Sequence, residues 1–201
     1  MAMTYHAGWR IAIGTAILGN MLTAAQRRKQ LMFEPSESPE LPTAAEILDA
    51  DDETLEALIV GYVEARIELH PSTPFDTFAS LPRKVQYVYA TALLEGEVES
   101  GGFNQYFYNS SSDFALEALA GYRAIGAADH ARLLRKAIEV FHTERWFHFR
   151  IRQRRSLDAF FDSYQFTRLS QIDEHFLEIE DDPIVLRASY IRDHLGEFSS
   201  P

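Results

Sequence analysis

Acids, a glycine pair and side-chain amides are gathered in one stretch, Glu95-Gly-Glu-Val-Glu-Ser-Gly-Gly-Phe-Asn-Gln-Tyr-Phe-Tyr-Asn109. On a helix, Glu95 and Glu99 share a face while Glu97 points elsewhere. Carboxylates paired in this way serve general acid–base chemistry when an apolar setting raises one of their pKa values. On an open helix they form a solvated face instead, and here they lie in a last turn, where the helix dipole opposes negative charge. Gln105 and Asn109 stand four apart and share a face if helix resumes after the glycines. Each amide offers donors and an acceptor, suited to pinning exposed peptide groups. Two readings follow. In one, the block is a structural turn, its amides spent on local backbone and its surroundings buried by Phe103, Tyr106 and Phe107. In the other, Glu95, Glu99, Gln105, Tyr106 and Asn109 form a ligand-binding or catalytic module.

Other chemistries find little support. Cysteine is absent, which removes thiol nucleophiles, disulfides and thiolate metal sites. The seven histidines make no His-Glu-x-x-His pair, and His142 and His148, six apart, do not share a helical face. Ser110, Ser111 and Ser112 lack the Gly-x-Ser-x-Gly context of a nucleophile elbow and read as caps and turn. The sequence therefore nominates no catalytic residue, no metal site and no cofactor, and the expectation is a non-enzyme.

The elements that hold this block are helical. Each glycine costs roughly 1 kcal/mol inside a helix, so Gly101 and Gly102 mark a point that needs backbone freedom or close approach. Upstream, Leu81-Pro82 opens a helix with proline at its first position, which carries Val85, Val88, Tyr89, Ala92 and Leu93 inward and ends at the glycine pair. Thr43 with Glu46 forms a capping box for a short helix, and Asp51-Asp52 starts a longer one bearing Leu55, Leu58, Ile59, Tyr62 and Leu69. His70-Pro71 ends it. After the block, Ser112 or Asp113 caps a helix with Phe114, Ala118 and Tyr122, closed by Gly126. Another runs from about Ala128, and Asp182-Pro183 leads a last one with Ala188, Ile191 and Leu195. No run alternates like a strand between hairpin turns. The predicted fold class is all-α, a single compact multi-helix domain with an N-terminal helical extension.

Three segments are expected: an extension over 1–33, a proline-rich acidic linker over 34–42, and the helical domain over 43–198. The apolar run Ile11–Leu18 is too short, and too broken by Gly14 and Gly19, to span a bilayer, and it makes a poor signal peptide. It reads as a helix docked on the domain, and a cytoplasmic protein with no membrane partner is expected.

Charge is strongly segregated. Acids outnumber bases 30 to 19, a formal charge of −11, against a nucleic-acid-binding surface and in favour of a basic partner. Residues 127–155 nevertheless hold eight bases and three acids, so that segment is +5 and the rest of the chain −16. The run Arg150-Ile-Arg-Gln-Arg-Arg155, preceded by Trp146-Phe-His-Phe149, reads as a source of internal salt bridges or as a dimer seam rather than as a nucleic-acid patch.

The block from Glu97 to Asn109 resembles the signature of a bacterial family, the DNA-mimic protein nineteen family. The pieces that carry the resemblance are Glu97-Val98 and Gly101-Gly-Phe-Asn-Gln-Tyr-Phe-Tyr-Asn109. Ala115-Leu-Glu-Ala-Leu119, Ile172-Asp173, Phe176, Glu180-Asp181 and Tyr190-Ile-Arg-Asp-His194 follow in order. It spans roughly Pro42 to Gly196. It implies an all-α fold, a homodimer, and structural roles for Glu97, Gly101, Gly102, Phe103, Gln105, Tyr106, Phe107 and Asn109. For its namesake it also implies an acidic surface that takes the place of DNA on a regulatory protein. In this chain six acids in eleven residues, Glu46, Asp49, Asp51, Asp52, Glu53 and Glu56, form the first candidate for such a surface. Asp173, Glu174, Glu178, Glu180, Asp181 and Asp182 form the second. The expected partner is a basic or DNA-binding protein, with no direct contact to nucleic acid; a dimeric scaffold without mimicry stays open.

Overall fold

A computed structural model describes residues 39–154 and 156–200; the expected extension over 1–33 and most of the segment 34–42 lie outside them. Among the described residues every regular element is a helix. Thr43 starts α1 (Ala44–Asp49) with a reciprocal cap: its hydroxyl accepts from the Glu46 N–H at 3.3 Å, and the Glu46 carboxylate accepts from the Thr43 N–H at 2.7 Å. Asp51 caps α2 (Asp52–Leu69) by accepting from the Thr54 N–H at 2.7 Å. Leu55, Ile59 and Val63 are buried, whereas Leu69, expected on the same face, is half exposed where the helix leaves the core. The short helix α3 (Pro74–Ala79) follows and contributes Phe78 to the core.

Pro82 stands at the cap position, one residue before α4 (Arg83–Tyr108), and not at its first turn as expected. α4 also does not end at the glycine pair: it breaks there and resumes. It is the spine of the domain, and α2 packs along its first half. Its second half leads through a 3₁₀ turn (Ser110–Phe114) into α5 (Ala115–Ala124), which folds back along it. The return is close: a Cβ on Gly121 would lie 2.8 Å from the Tyr87 carbonyl oxygen, so only glycine lets these two backbones approach. Gly126, with φ +85°, closes α5, and the Ala127 N–H donates back to the Tyr122 carbonyl at 2.8 Å. The cap expected from Ser112 or Asp113 is replaced by the 3₁₀ turn, with no side-chain bond at the start of α5.

Six further helices complete the domain: α6 (Ala128–Thr143), α7 (Arg145–Arg154), α8 (Leu157–Ser163), α9 (Ser170–Leu177), α10 (Pro183–Asp193) and α11 (Leu195–Phe198). No element was expected over 145–177. For α7 the reason is that it carries apolar side chains on both sides and so has no single apolar stripe.

The largest fully buried side chain is charged. Arg187 of α10 is 0% exposed, between α2 and α4. Its Nε donates to Glu56 Oε2 at 2.5 Å and its Nη2 to Glu95 Oε2 at 2.5 Å. Burial pushes the Glu95 carboxyl above the ordinary glutamate range, although the guanidinium pulls the other way. Ion pairs this deep lose most of their Coulomb gain to desolvation, so what they fix is geometry: a shift of any of the three helices strands a charge. Arg192 staples the far end of α10 to the α1–α2 junction, donating to Asp52 at 2.6 Å and to the Ala50 carbonyl at 2.8 Å. α10 thus runs antiparallel to α2.

Replacing Arg187 with Met should cost about 3–5 kcal/mol in urea denaturation at pH 7, because the buried Glu56 and half-buried Glu95 carboxylates lose their counter-ion. Such carboxyls bind protons more tightly folded than unfolded. The variant should therefore recover stability as pH falls toward 5 and lose it as pH rises. A loss that does not change with pH would show that Arg187 acts only by filling space.

Candidate functional site

At the glycine break the backbone of α4 leaves helical space for two residues. Gly101 has φ −170° and ψ 27°; Gly102 has φ 67° and ψ −179°, a region essentially closed to other residues. The second half of α4 starts afresh at Phe103, whose N–H donates to Asp173 Oδ1 at 2.8 Å. A residue of α9, 70 positions away, is therefore the N-terminal cap of this half-helix. The fit is tight, since a Cβ on Gly102 would come within 2.3 Å of Asp173 Oδ2. The Gly101 carbonyl, released from the helix ladder, accepts from the Tyr164 hydroxyl at 2.8 Å, and the Asn104 amide donates to Ser163 Oγ at 2.8 Å.

Glu97 closes the break from the other side. Its carboxylate is buried and takes three donors: Asn109 Nδ2 at 2.6 Å and Gln105 Nε2 at 3.1 Å on one oxygen, Ser111 Oγ at 3.0 Å on the other. Burial pushes the Glu97 carboxyl up; the bonds from Gln105, Ser111 and Asn109 oppose that shift. The amides are thus spent not on local backbone, as expected, but on an acid of the preceding half-helix. Phe103 and Phe107 seal the site, with Phe103 edge-on to Phe176 at 5.1 Å and Phe107 stacked on Phe141 at 4.4 Å. Tyr106 is fully buried, and burial holds its phenol far above the ordinary range.

The members of the proposed catalytic module do not gather around a common reactant. Glu95 is bound to Arg187, Glu99 is exposed, and Gln105 and Asn109 are bound to Glu97. Two surface hollows lie elsewhere. One, about 440 Å³, is lined by Asp129, Arg132, Leu133, His175 and residues 178–181; the other lies along one side of α6. No group of three or more acids and histidines is placed to hold a metal among the described residues. Nor is any helix there long and apolar enough to cross a membrane.

The sequence pattern of DMP19-like proteins matches residues 79–194. The chain belongs to the DMP19-like protein family. No curated protein and no solved structure matches the chain. The DMP19-like range is narrower than the resemblance read from Pro42 to Gly196. It takes in the Glu97 clamp, the Asp173 cap, Arg187 and the second acidic segment, and leaves Glu46–Glu56 outside.

The two acidic segments keep most of their charge outward, with two exceptions. Glu56 is buried on Arg187 and is lost to any binding surface. Asp173 is half-buried on Phe103, and burial pushes its carboxyl up. Asp52 is half-exposed but paired with Arg192. Glu46, Asp49, Asp51 and Glu53 are exposed at the first segment; Glu46 and Asp51 also serve as caps. Glu174, Glu178, Glu180, Asp181 and Asp182 are exposed at the second, where Asp182 caps α10 by accepting from the Ile184 N–H at 2.9 Å. Sequence reasoning missed the roles of Asp173, Ser111, Tyr164 and Arg187. For Asp173 the only signal was its place among the pieces of the family resemblance.

The arginine run supplies no internal salt bridge among the described residues. Arg152 turns inward, but it donates to the Phe107 carbonyl at the end of α4. Arg150 and Arg154 are exposed, and Arg155 lies outside the described residues.

Three substitutions separate the parts of the clamp. Glu97→Ala strands three buried donors and should cost about 2–4 kcal/mol. Glu97→Gln can still accept the two amides and donate to Ser111, and should stay within about 1 kcal/mol of the parent at pH 7. A raised carboxyl contributes its stability fully below the ordinary glutamate range and loses it as pH rises through the folded value. The parent should thus lose stability relative to Glu97→Gln on going from pH 4 to 8. Gly102→Ala, strained at φ 67° and in collision with Asp173, should cost at least about 2 kcal/mol. Chemical denaturation across pH checks all three, and a tolerated Gly102→Ala would show that the break is not held as described.

Proposed function

We propose that this chain is a non-enzymatic, cytoplasmic interaction protein that binds a DNA-binding regulatory protein through its acidic helices, standing in for DNA. The observation that carries the reading is the outward set of acids at the two ends of α10, on a chain of the DMP19-like family. Glu46, Asp49, Asp51 and Glu53 lie near its C-terminal end, beside the Arg192–Asp52 staple, and Glu180, Asp181 and Asp182 at its N-terminal end. Eleven residues of helix separate the ends by about 16 Å. The side chains exposed between them are Val185, Ser189 and Asp193, while Arg187 is buried and Arg192 is paired. No unpaired base thus interrupts the acid along this helix. Glu174 of α9 and Glu178, the residue that caps its C-terminus, stand four apart, an axial rise of about 6 Å. B-DNA carries one charge per about 1.7 Å of axis, a few times denser than this row, so the carboxylates offer a basic groove-reading surface charge of the same sign at lower density.

The second edge is favoured as the main contact, because it lies within the DMP19-like range and the first does not. The caps Glu46, Asp51 and Asp182 hold helix ends, so the test spares them. The expected outcome is capture of a basic, DNA-binding protein from the source cells, released as salt rises from about 50 to 200 mM and displaced by duplex DNA. Neutralising Glu174, Glu178, Glu180 and Asp181 together to the amides should weaken that binding at least tenfold, roughly 1.4 kcal/mol. Neutralising Asp49 and Glu53 should weaken it less. Binding that ignores salt, or that survives all six changes, would sink the reading.

A further inference from the structure

The Phe, Tyr and Trp side chains more than half exposed among the described residues all lie between 146 and 166: Trp146 at 69%, Phe149 at 53%, Phe161 at 63% and Phe166 at 69%. Trp146 and Phe149 meet edge to face at 6.2 Å on α7, and Phe166 stands against Phe147 of the same helix at 6.3 Å. Phe161 is on α8, which packs on α7. The leucines exposed to this degree, Leu48, Leu116 and Leu177, are instead scattered over three helices. Single surface leucines need no explanation, whereas a gathered set of rings marks a face with something to cover it.

The charges around the rings describe the cover. Arg150 and Arg154 follow Trp146 at four-residue intervals on the outer side of α7, and Asp158 and Asp162 bracket Phe161 on α8. All four are exposed. A cover for this face therefore needs an apolar stretch accompanied by charge of both signs, basic against α8 and acidic against α7. The sequence ahead of the described residues has that composition. Ile11-Ala-Ile-Gly-Thr-Ala-Ile-Leu18 is apolar and too short to cross a bilayer, Arg27-Arg-Lys29 is basic, and Glu34 and Glu37 are acidic. It is also tethered. Residues 23–38 join Leu22 to Pro39, which is buried in the domain. Sixteen residues reach roughly 50 Å, and a compact body the size of this domain has a radius of gyration of about 15 Å, so the α7–α8 face is within range. A tethered cover acts at an effective concentration on the order of millimolar, an advantage that no separate molecule has. A nucleic acid or an anionic membrane would in addition meet Asp158 and Asp162 with like charge.

We infer that the aromatic face of α7 and α8 is the seat of this chain's own segment 11–22, with the basic residues 27–29 set against the α8 aspartates and Glu34 and Glu37 against the α7 arginines. The inference does not rest on the proposed binding of a regulator, and the segment lies outside the DMP19-like range. Its consequence is to close off the one aromatic, arginine-bearing face of an otherwise acidic protein and leave the acidic edges open.

The full 201-residue chain has no cysteine and two tryptophans, Trp9 and Trp146, so single positions can be read in it. With Trp9→Phe, emission from Trp146 should be blue-shifted and quenched by acrylamide severalfold less than in the same chain carrying Ile11→Ser, Ile13→Ser, Ile17→Ser and Leu18→Ser. Asp158→Arg with Asp162→Arg should raise the quenching toward that of the serine variant. Adding Arg27→Glu, Arg28→Glu and Lys29→Glu should bring it back down, which damage to the fold would not do. Spin labels on Gln26→Cys and Gln153→Cys, in chains diluted into an excess of unlabelled protein, should give one short, narrow distance that broadens with the serine changes. Trp146 quenched alike in the parent and the serine variant would overturn the inference. So would charge reversals that leave the quenching unchanged, or a broad distance in the parent. Shielding or a short distance that disappears on dilution would overturn it too, by making a second copy the cover.

Discussion

The structure depends on how one broken helix is held. A 26-residue helix with two adjacent residues outside helical space has, at its middle, free donors on one side and free acceptors on the other. Left alone, these would cost more than the packing on either side could offset. Two acids and a phenol resolve the problem from different directions. Asp173 takes the first N–H of the new half-helix, Tyr164 donates to the last carbonyl of the old one, and Glu97 ties the old half to Gln105 of the new and to Asn109 and Ser111 just beyond it. With the break fixed in this way, Phe103 and Phe107 meet Phe176 and Phe141, and the 3₁₀ turn delivers α5 back along α4 at the close approach allowed by Gly121.

The same solution draws acids out of the surface. Glu56, Glu95, Glu97 and Asp173 all answer to groups inside the domain. The pair on Arg187 and the clamp at the glycines are separate devices with a shared logic: burial raises a carboxyl, and a fixed set of donors offsets the cost. Acid content therefore overstates the charge available to a partner. What remains outside is sorted to the ends of helices, where part of it also caps them. A binding surface built on such residues is rigid, since a carboxylate that caps a helix is held in place by the backbone it serves.

What the sequence revealed was whatever is settled over a few residues. The Thr43–Glu46 box, the Asp51 cap, the Asp182-Pro183 start and the closure at Gly126 are local devices, and the structure keeps each of them. The all-α class follows from these and from the lack of alternation. The devices that fix the site are not local. Phe103 and Asp173 are 70 residues apart, and Arg187 and Glu56 are 131 apart, so no window of sequence contains either pair. Asp173 and Glu56 looked like surface acids because their neighbours in sequence are acids. α7 was missed for a local reason: with apolar groups on both sides it carries no amphipathic period. The family signature was the one part of the sequence to report long-range structure, because it held the glycines, Glu97 and its donors together.

The uneven charge then has a physical reading. A chain at −11 with an exposed arginine face on α7 would, as a monomer, present opposite fields on different sides and favour unspecific association with itself and with polyanions. Arg152 shows that the fold can bring an arginine of this run inward, yet Arg150 and Arg154 stay out, next to exposed rings and within one helix of exposed aspartates. The exposed charges are solvated and cost little, whereas large rings gathered in water beside them make an apolar patch. The acidic edges differ in this respect: acid predominates, Arg132 beside the second edge is already paired with Asp129, and neither edge has an aromatic cluster like that on α7 and α8. The acidic edges thus have the composition of an electrostatic landing site, and the mixed, aromatic face of α7 does not.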